Sequence, residues 1–114
     1  MQLNNRIINI AVDFSETPGP RYEWQGKFSG EEFYKKLLRP SFLDSEQCGN
    51  ILEVYLDGTE GYGSSFLEES FGGLQREFGT SRVLKVLQLH SEDTLLLGEI
   101  DDYINNRYDK HEMA

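Results

Sequence analysis

Two adjacent serines, Ser64 and Ser65, sit in the stretch of the 114-residue chain best supplied with reactive side chains, Leu56-Asp-Gly-Thr-Glu-Gly-Tyr-Gly-Ser-Ser-Phe-Leu-Glu-Glu-Ser-Phe-Gly-Gly-Leu74. As a calcium loop, Asp57 to Glu68 has acids at its first and twelfth positions. Tyr62, however, stands at the sixth, where a glycine is needed, and Thr59 and Gly61 offer no carboxylate at the third and fifth. As a nucleotide phosphate loop, Gly58-x-x-x-x-Gly63-Ser64-Ser65 has the right spacing, but Ser64 replaces the lysine, and Asp57 and Glu60 lie beside the loop. As a hydrolase elbow, Gly63-Ser64-Ser65-Phe66 fails because bulky Phe66 follows the serines. The available bases are His90, expected in solvent at a strand end, and His111, in the polar tail. Cys48, His90 and His111 have no metal-ligand spacing, so neither a metal nor a cofactor is expected.

Two readings of the serines remain. Ser65-x-x-Glu68 has the form of a capping box, in which serine and glutamate side chains satisfy free N–H groups at a helix start. Alternatively, Ser64 or Ser65 is a phosphoryl acceptor. A phosphoryl group at a helix N-terminus is stabilised by free N–H groups and the helix dipole, and it adds a charge of about −1.5 to −2.

The elements that must hold these residues follow from hydrophobic periodicity. Ile51, Leu52, Val54 and Leu56 form a buried strand leading into the loop, and Phe66, Leu67, Phe71, Leu74 and Phe78 recur at helical spacing after it. Upstream, 6–12 reads as a first strand. Pro18-Gly19-Pro20 forces a turn, followed either by Tyr22 to Trp24 as a short return strand, the preferred reading, or by an irregular loop. Ser29-Gly-Glu-Glu32 caps a helix that ends near Leu38 or kinks at Pro40. Downstream, Gly79 stops the central helix, 82–89 reads as the third main strand, and Ser91-Glu-Asp-Thr opens a last helix. Its expected buried stripe is Leu95, Leu96, Ile100, Tyr103 and Ile104. The expected fold is α/β, a single domain over 1–104 with a mostly parallel sheet of about four strands covered by about three helices. A polar tail, 105–114, is expected to fray.

Composition narrows the partners. Twenty acidic against 11 basic residues give a net charge of −9, which repels phosphate backbones and anionic membranes, so neither nucleic acid nor membrane is expected as a partner. One cysteine excludes an internal disulfide, and the N-terminus lacks the pattern of a signal peptide. A cytoplasmic location is the expectation.

The chain resembles the STAS fold of anti-anti-sigma factors, and more closely a STAS-like family of unknown function. Val54-Tyr-Leu56 is similar to the strand before the anti-anti-sigma switch, Gly63-Ser64-Ser65-Phe66-Leu67 to the switch, and Gly26-Lys-Phe-Ser29 to the lead into the first helix. The STAS-like resemblance adds Asp13-Phe-Ser15, Thr17-Pro-Gly19, Arg21-Tyr22, Phe28-Ser-Gly-Glu-Glu-Phe33 and 57–69, within 6–104. It implies a non-catalytic regulatory domain that docks on a GHKL-type ATPase or anti-sigma-like serine kinase through 56–74, with Ser64 phosphorylated. Gly63 stands where the family pattern has an aspartate, and the final strand and helix of the ordinary STAS fold are expected to be lacking.

At a 3.6-residue period, Ser65, Glu68, Glu69 and Gly72 fall opposite the apolar stripe of the central helix. With Asp57, Tyr62 and Gly63 they form the expected docking face, on which Gly72 allows close approach of a partner. Two other readings are a small-molecule sensor with Arg21, Tyr22, Trp24 and Tyr62 as contacts, and a small hydrolase using Ser64. The expected state is a monomer or weak homodimer, the latter through an open sheet edge.

Overall fold

Three short parallel strands, β1 (Arg6–Asn9), β2 (Leu52–Tyr55) and β3 (Leu87–His90), lie in the order β1-β2-β3 in the computed structural model, which describes residues 5–108. Ile8 stands opposite Val54, and Val54 opposite Leu89, so one sheet face is apolar and faces the helices. The other face carries Ile7, Glu53, Tyr55 and Gln88, with Ile7 and Tyr55 exposed. The architecture is α/β, with five helices among the described residues, counting the single turn Ile10–Asp13.

Helix α1 spans 30–48 without a break and contains a π-helical segment, Tyr34–Leu38. Ser29 is its N-cap, accepting the Glu32 N–H at 2.9 Å. Pro40 neither ends the helix nor deflects it out of helical geometry. It is the second residue of the segment Arg39–Cys48, directly after the π segment, whose wider turn accommodates the missing donor and the proline ring. Helix α2 spans 64–78 with its own π segment, Glu68–Gly72. The two helices touch closely: a Cβ on Gly30 would stand 2.6 Å from the Phe66 carbonyl oxygen. Tyr34 donates to Glu77 at 2.5 Å across the same contact.

Helix α3 (Thr80–Val86) begins directly after Gly79 and runs into β3, and α4 (Thr94–Ile104) follows with Asp93 as N-cap, accepting the Leu96 N–H at 3.1 Å. The core joins Ile8, Ile10, Phe33, Leu38, Phe42, Leu52, Val54, Phe66, Phe71, Leu74, Val83 and Ile100.

Several local expectations are corrected. Tyr22 to Trp24 is not a return strand; a 3-10 turn, Glu23–Gln25, lies there, closed by Gln25 Oε1 accepting the Tyr22 N–H at 3.0 Å. The sheet accordingly has three strands rather than about four among the described residues. Most of 82–89 is helix, because Val83 and Val86 bury themselves three residues apart on one helical face and only Leu87 onward is extended. Strand β1 ends at Asn9, where Asp13 accepts the Asn9 N–H and closes a helical turn. Leu95 is 85% exposed and does not belong to the buried stripe of α4. His111 and the end of the polar tail lie outside the described residues.

Candidate functional site

Strand β2 delivers the chain to the loop 56–63, and the loop is tied at several points. The Asp57 carboxylate accepts the Ser91 hydroxyl at 2.6 Å and the Glu92 N–H at 3.0 Å, so it clips the end of β2 to the end of β3. These hydrogen bonds, from Ser91 first and then Glu92, hold the Asp57 carboxyl below the usual carboxylate range. The Glu60 N–H donates to the Glu16 carbonyl at 2.8 Å, which binds the loop to the 14–29 segment. Gly58 and Gly61, at φ 97° and 122°, turn the loop through conformations that disfavour a side chain. The Tyr62 hydroxyl donates to the Leu56 carbonyl at 2.7 Å, and burial pushes its pKa up to about 12.

Helix α2 then starts with Gly63 as N-cap, and no side chain caps it. The expected capping box is absent: Glu68 is turned away into an ion-pair cluster, and Ser64 and Ser65 are the first two helical residues rather than the cap. Ser64 is exposed, and its hydroxyl donates to Glu99 Oε2 on α4 at 2.7 Å. Tyr103 donates to the same oxygen at 2.7 Å, and burial together with Glu99 raises the Tyr103 pKa to about 12. Beside them lies an open cleft of about 410 Å³, bounded by the loop, Asp93, Leu95, Leu96 and Glu99. Gly63 has φ −74°, and nothing lies within 4 Å of where a Cβ would stand, so no backbone constraint demands glycine there.

Of the expected docking face, Asp57 and Gly63 are exposed, and Tyr62, Ser65 and Glu69 are half-buried. Glu68 and Gly72 are buried, which corrects the projection. The helix packs on α1 at one side and on α4 at the other, so only a narrow stripe of it reaches solvent. Glu68 Oε1 accepts from Arg21, and Oε2 accepts from Arg76 and, at 2.6 Å, from the Tyr108 hydroxyl. Burial opposes the charged form of Glu68. The Tyr108 and Arg21 hydrogen bonds and the Arg76 charge outweigh it and hold this carboxyl below its usual range. A Cβ on Gly72 would stand 3.0 Å from Glu68 Oε2 and 3.2 Å from Arg76, so the glycine makes room for this internal pair and not for a partner.

The residues expected to contact a small molecule are not gathered in one cavity. Arg21 is committed to Glu68, with its side chain 16% exposed. Tyr22 and Trp24 stack at 6.3 Å, and Trp24 is 81% exposed, beside Lys27, Glu32 and Lys36. Tyr62 lines the separate cleft next to Ser64's helix. His90 is not a solvated strand end: its ring stacks on Tyr55 at 4.3 Å, and its Nε2 lies 3.0 Å from Glu53 Oε1.

Sequence reasoning missed Glu99, Tyr103, Ser91 and Tyr108. Glu99 and Ser91 meet Ser64 and Asp57 across about 35 residues of chain, and no local pattern announces such a meeting. Among the described residues, no group of three or more His, Cys, Asp or Glu side chains could hold a metal ion, and no helix is long and apolar enough to cross a membrane.

Residues 29–94, more than half of the chain, match the family model described as a STAS-like domain of unknown function (DUF4325). A search of curated proteins and a search of solved structures each gave no match.

Proposed function

We propose that this chain, which belongs to the family of STAS-like domains of unknown function, is a non-catalytic regulatory domain docking on a GHKL-type ATPase or serine kinase. The family is not a known enzyme family. The docking face comprises the exposed part of the loop and the start of α2: Asp57, Tyr62, Gly63, Ser64, Ser65 and Glu69. Glu68 and Gly72 stand behind it and brace it.

The observation that carries the reading is Ser64, an exposed hydroxyl on the first residue of an uncapped helix, 2.7 Å from the Glu99 carboxylate. Two opposed forces meet at this atom. A phosphoryl group on Ser64 gains from the free N–H groups of the helix start. It also sets a charge of about −1.5 to −2 against Glu99, and like charges at that separation repel. The Ser64–Glu99 contact therefore breaks on phosphorylation, and the face changes in charge and in its seam with α4 together. A hydrolase role for Ser64 gains little: Glu99 is shared with Tyr103, and no imidazole stands between it and the serine.

The test is capture from native lysate with the wild-type domain and with Ser64→Asp, bound proteins being identified by mass spectrometry. The reading predicts a GHKL-type ATPase on the wild-type bait and its loss from Ser64→Asp. Equal capture by both baits overturns the switch. Capture of no ATPase overturns the docking.

A further inference from the structure

Among the described residues the outer edge of β3 is open: β3 pairs with β2 alone, and the Leu56 N–H donating to the His90 carbonyl at 3.0 Å fixes the phase of that ladder. Gln88 and His90 turn their backbone groups to β2, so Leu87 and Leu89 turn theirs outward. The Leu87 N–H is taken by the Val83 carbonyl at the end of α3. That leaves the Leu87 carbonyl and both backbone groups of Leu89 facing out along the edge. The strand has neither a charge nor a proline to guard it, in a chain of net charge −9.

An apolar groove of about 490 Å³ runs beside this edge between α3 and α4, with Leu84, Leu87, Leu97 and Gly98 on its walls. Leu84 is 54% exposed. Gly98 is an exposed glycine inside a helix, a destabilising choice, and nothing lies within 4 Å of where its Cβ would be. Close approach of another chain to α4 accounts for it.

We infer that the occupant is a second copy of this chain, its β3 paired antiparallel with this one about a two-fold axis at Leu89. Leu89 of each copy then exchanges both backbone hydrogen bonds, and the two sheets join into one of six strands. Charge selects this occupant. The N-terminal side of the edge carries exposed Lys85 and the C-terminal side exposed Glu92, and neither makes an ion pair among the described residues. An antiparallel pairing about Leu89 brings the basic end of the edge at Lys85 in one copy to the acidic end at Glu92 and Asp93 in the other, twice. The groove uses the face of α4 away from the Ser64 cleft, so the dimer leaves the docking face free.

The experiment is sedimentation equilibrium of the full chain from micromolar to millimolar concentration. The mass should rise from 13.1 kDa toward twice that value. Leu84→Glu, at an exposed position, should keep the wild-type circular dichroism and melting temperature and remain monomeric. Lys85→Glu and Glu92→Lys should each raise the dimer Kd on the order of tenfold, and the double exchange should restore it. A monomer mass throughout, a dimer untouched by Leu84→Glu, or a double exchange no better than the singles overturns the inference. So does a chain that stays monomeric while binding an extended peptide at this edge.

Discussion

Glu68→Gln removes one charge from the cluster behind the proposed docking face and keeps the side-chain shape. Arg21, with its side chain 16% exposed, then loses its main counter-charge and keeps only Glu69 at 3.5 Å. Removing one partner of a buried ion pair costs about 3–5 kcal/mol. Arg76 is 41% exposed, so water replaces much of its share, and an exposed pair is worth about 0–1 kcal/mol. The net expectation is about 2–3 kcal/mol. Urea unfolding measures it, and with an m value of roughly 1–1.5 kcal/mol/M the midpoint should fall by about 2 M at unchanged m. In a double-mutant cycle with Arg21→Gln the pair should couple by at least about 1 kcal/mol. The dependence on pH has a definite sign. Because the folded-state pKa of Glu68 is lowered, the stabilisation is present above the unfolded value of about 4.3 and is lost as pH falls through the folded value. The wild type should therefore lose its advantage over Glu68→Gln in acid. A midpoint shift under about 0.3 M at neutral pH, or an advantage that grows on acidification, refutes the reasoning.

Gly30→Ala pushes a Cβ to within 2.6 Å of the Phe66 carbonyl oxygen and should cost about 1–3 kcal/mol, seen as a melting temperature lowered by several degrees. Asp57→Asn removes a carboxyl whose pKa is held low by Ser91 and Glu92. The wild type's stabilisation by that group is present above about pH 4 and lost as pH falls through the folded pKa, so thermal melts of the variant across that range should show a flatter pH dependence. Trp24→Ser, at a side chain 81% exposed, should leave stability within about 0.5 kcal/mol of wild type in the same melts.

The strand-loop-helix at 52–78 was legible because its apolar residues repeat at two clean periods, and the Ser29 cap because serine, glycine and two glutamates precede an apolar stripe. Residues 82–89 misled because Val83, Leu84, Val86, Leu87 and Leu89 satisfy both strand and helix periods; burial of Val83 and Val86 on one helical face decides the matter. The exposed face assigned to Glu68 and Gly72 failed for a different reason. A helical wheel assumes one buried side, whereas α2 is flanked by α1 and α4 and has Arg21 reaching over it. The position of Ser64 in the chain was readable, but its partner Glu99 comes from packing between α2 and α4, which leaves no local trace.

The central claim is that the state of Ser64 governs docking, and the most direct test is a binding isotherm of the captured ATPase. It should be measured with the unmodified domain, with the domain phosphorylated at Ser64, and with Ser64→Ala. The account predicts that phosphorylation weakens binding by at least about tenfold, roughly 1.4 kcal/mol, while Ser64→Ala binds as the unmodified domain does. Equal affinity for the phosphorylated and unmodified forms contradicts it.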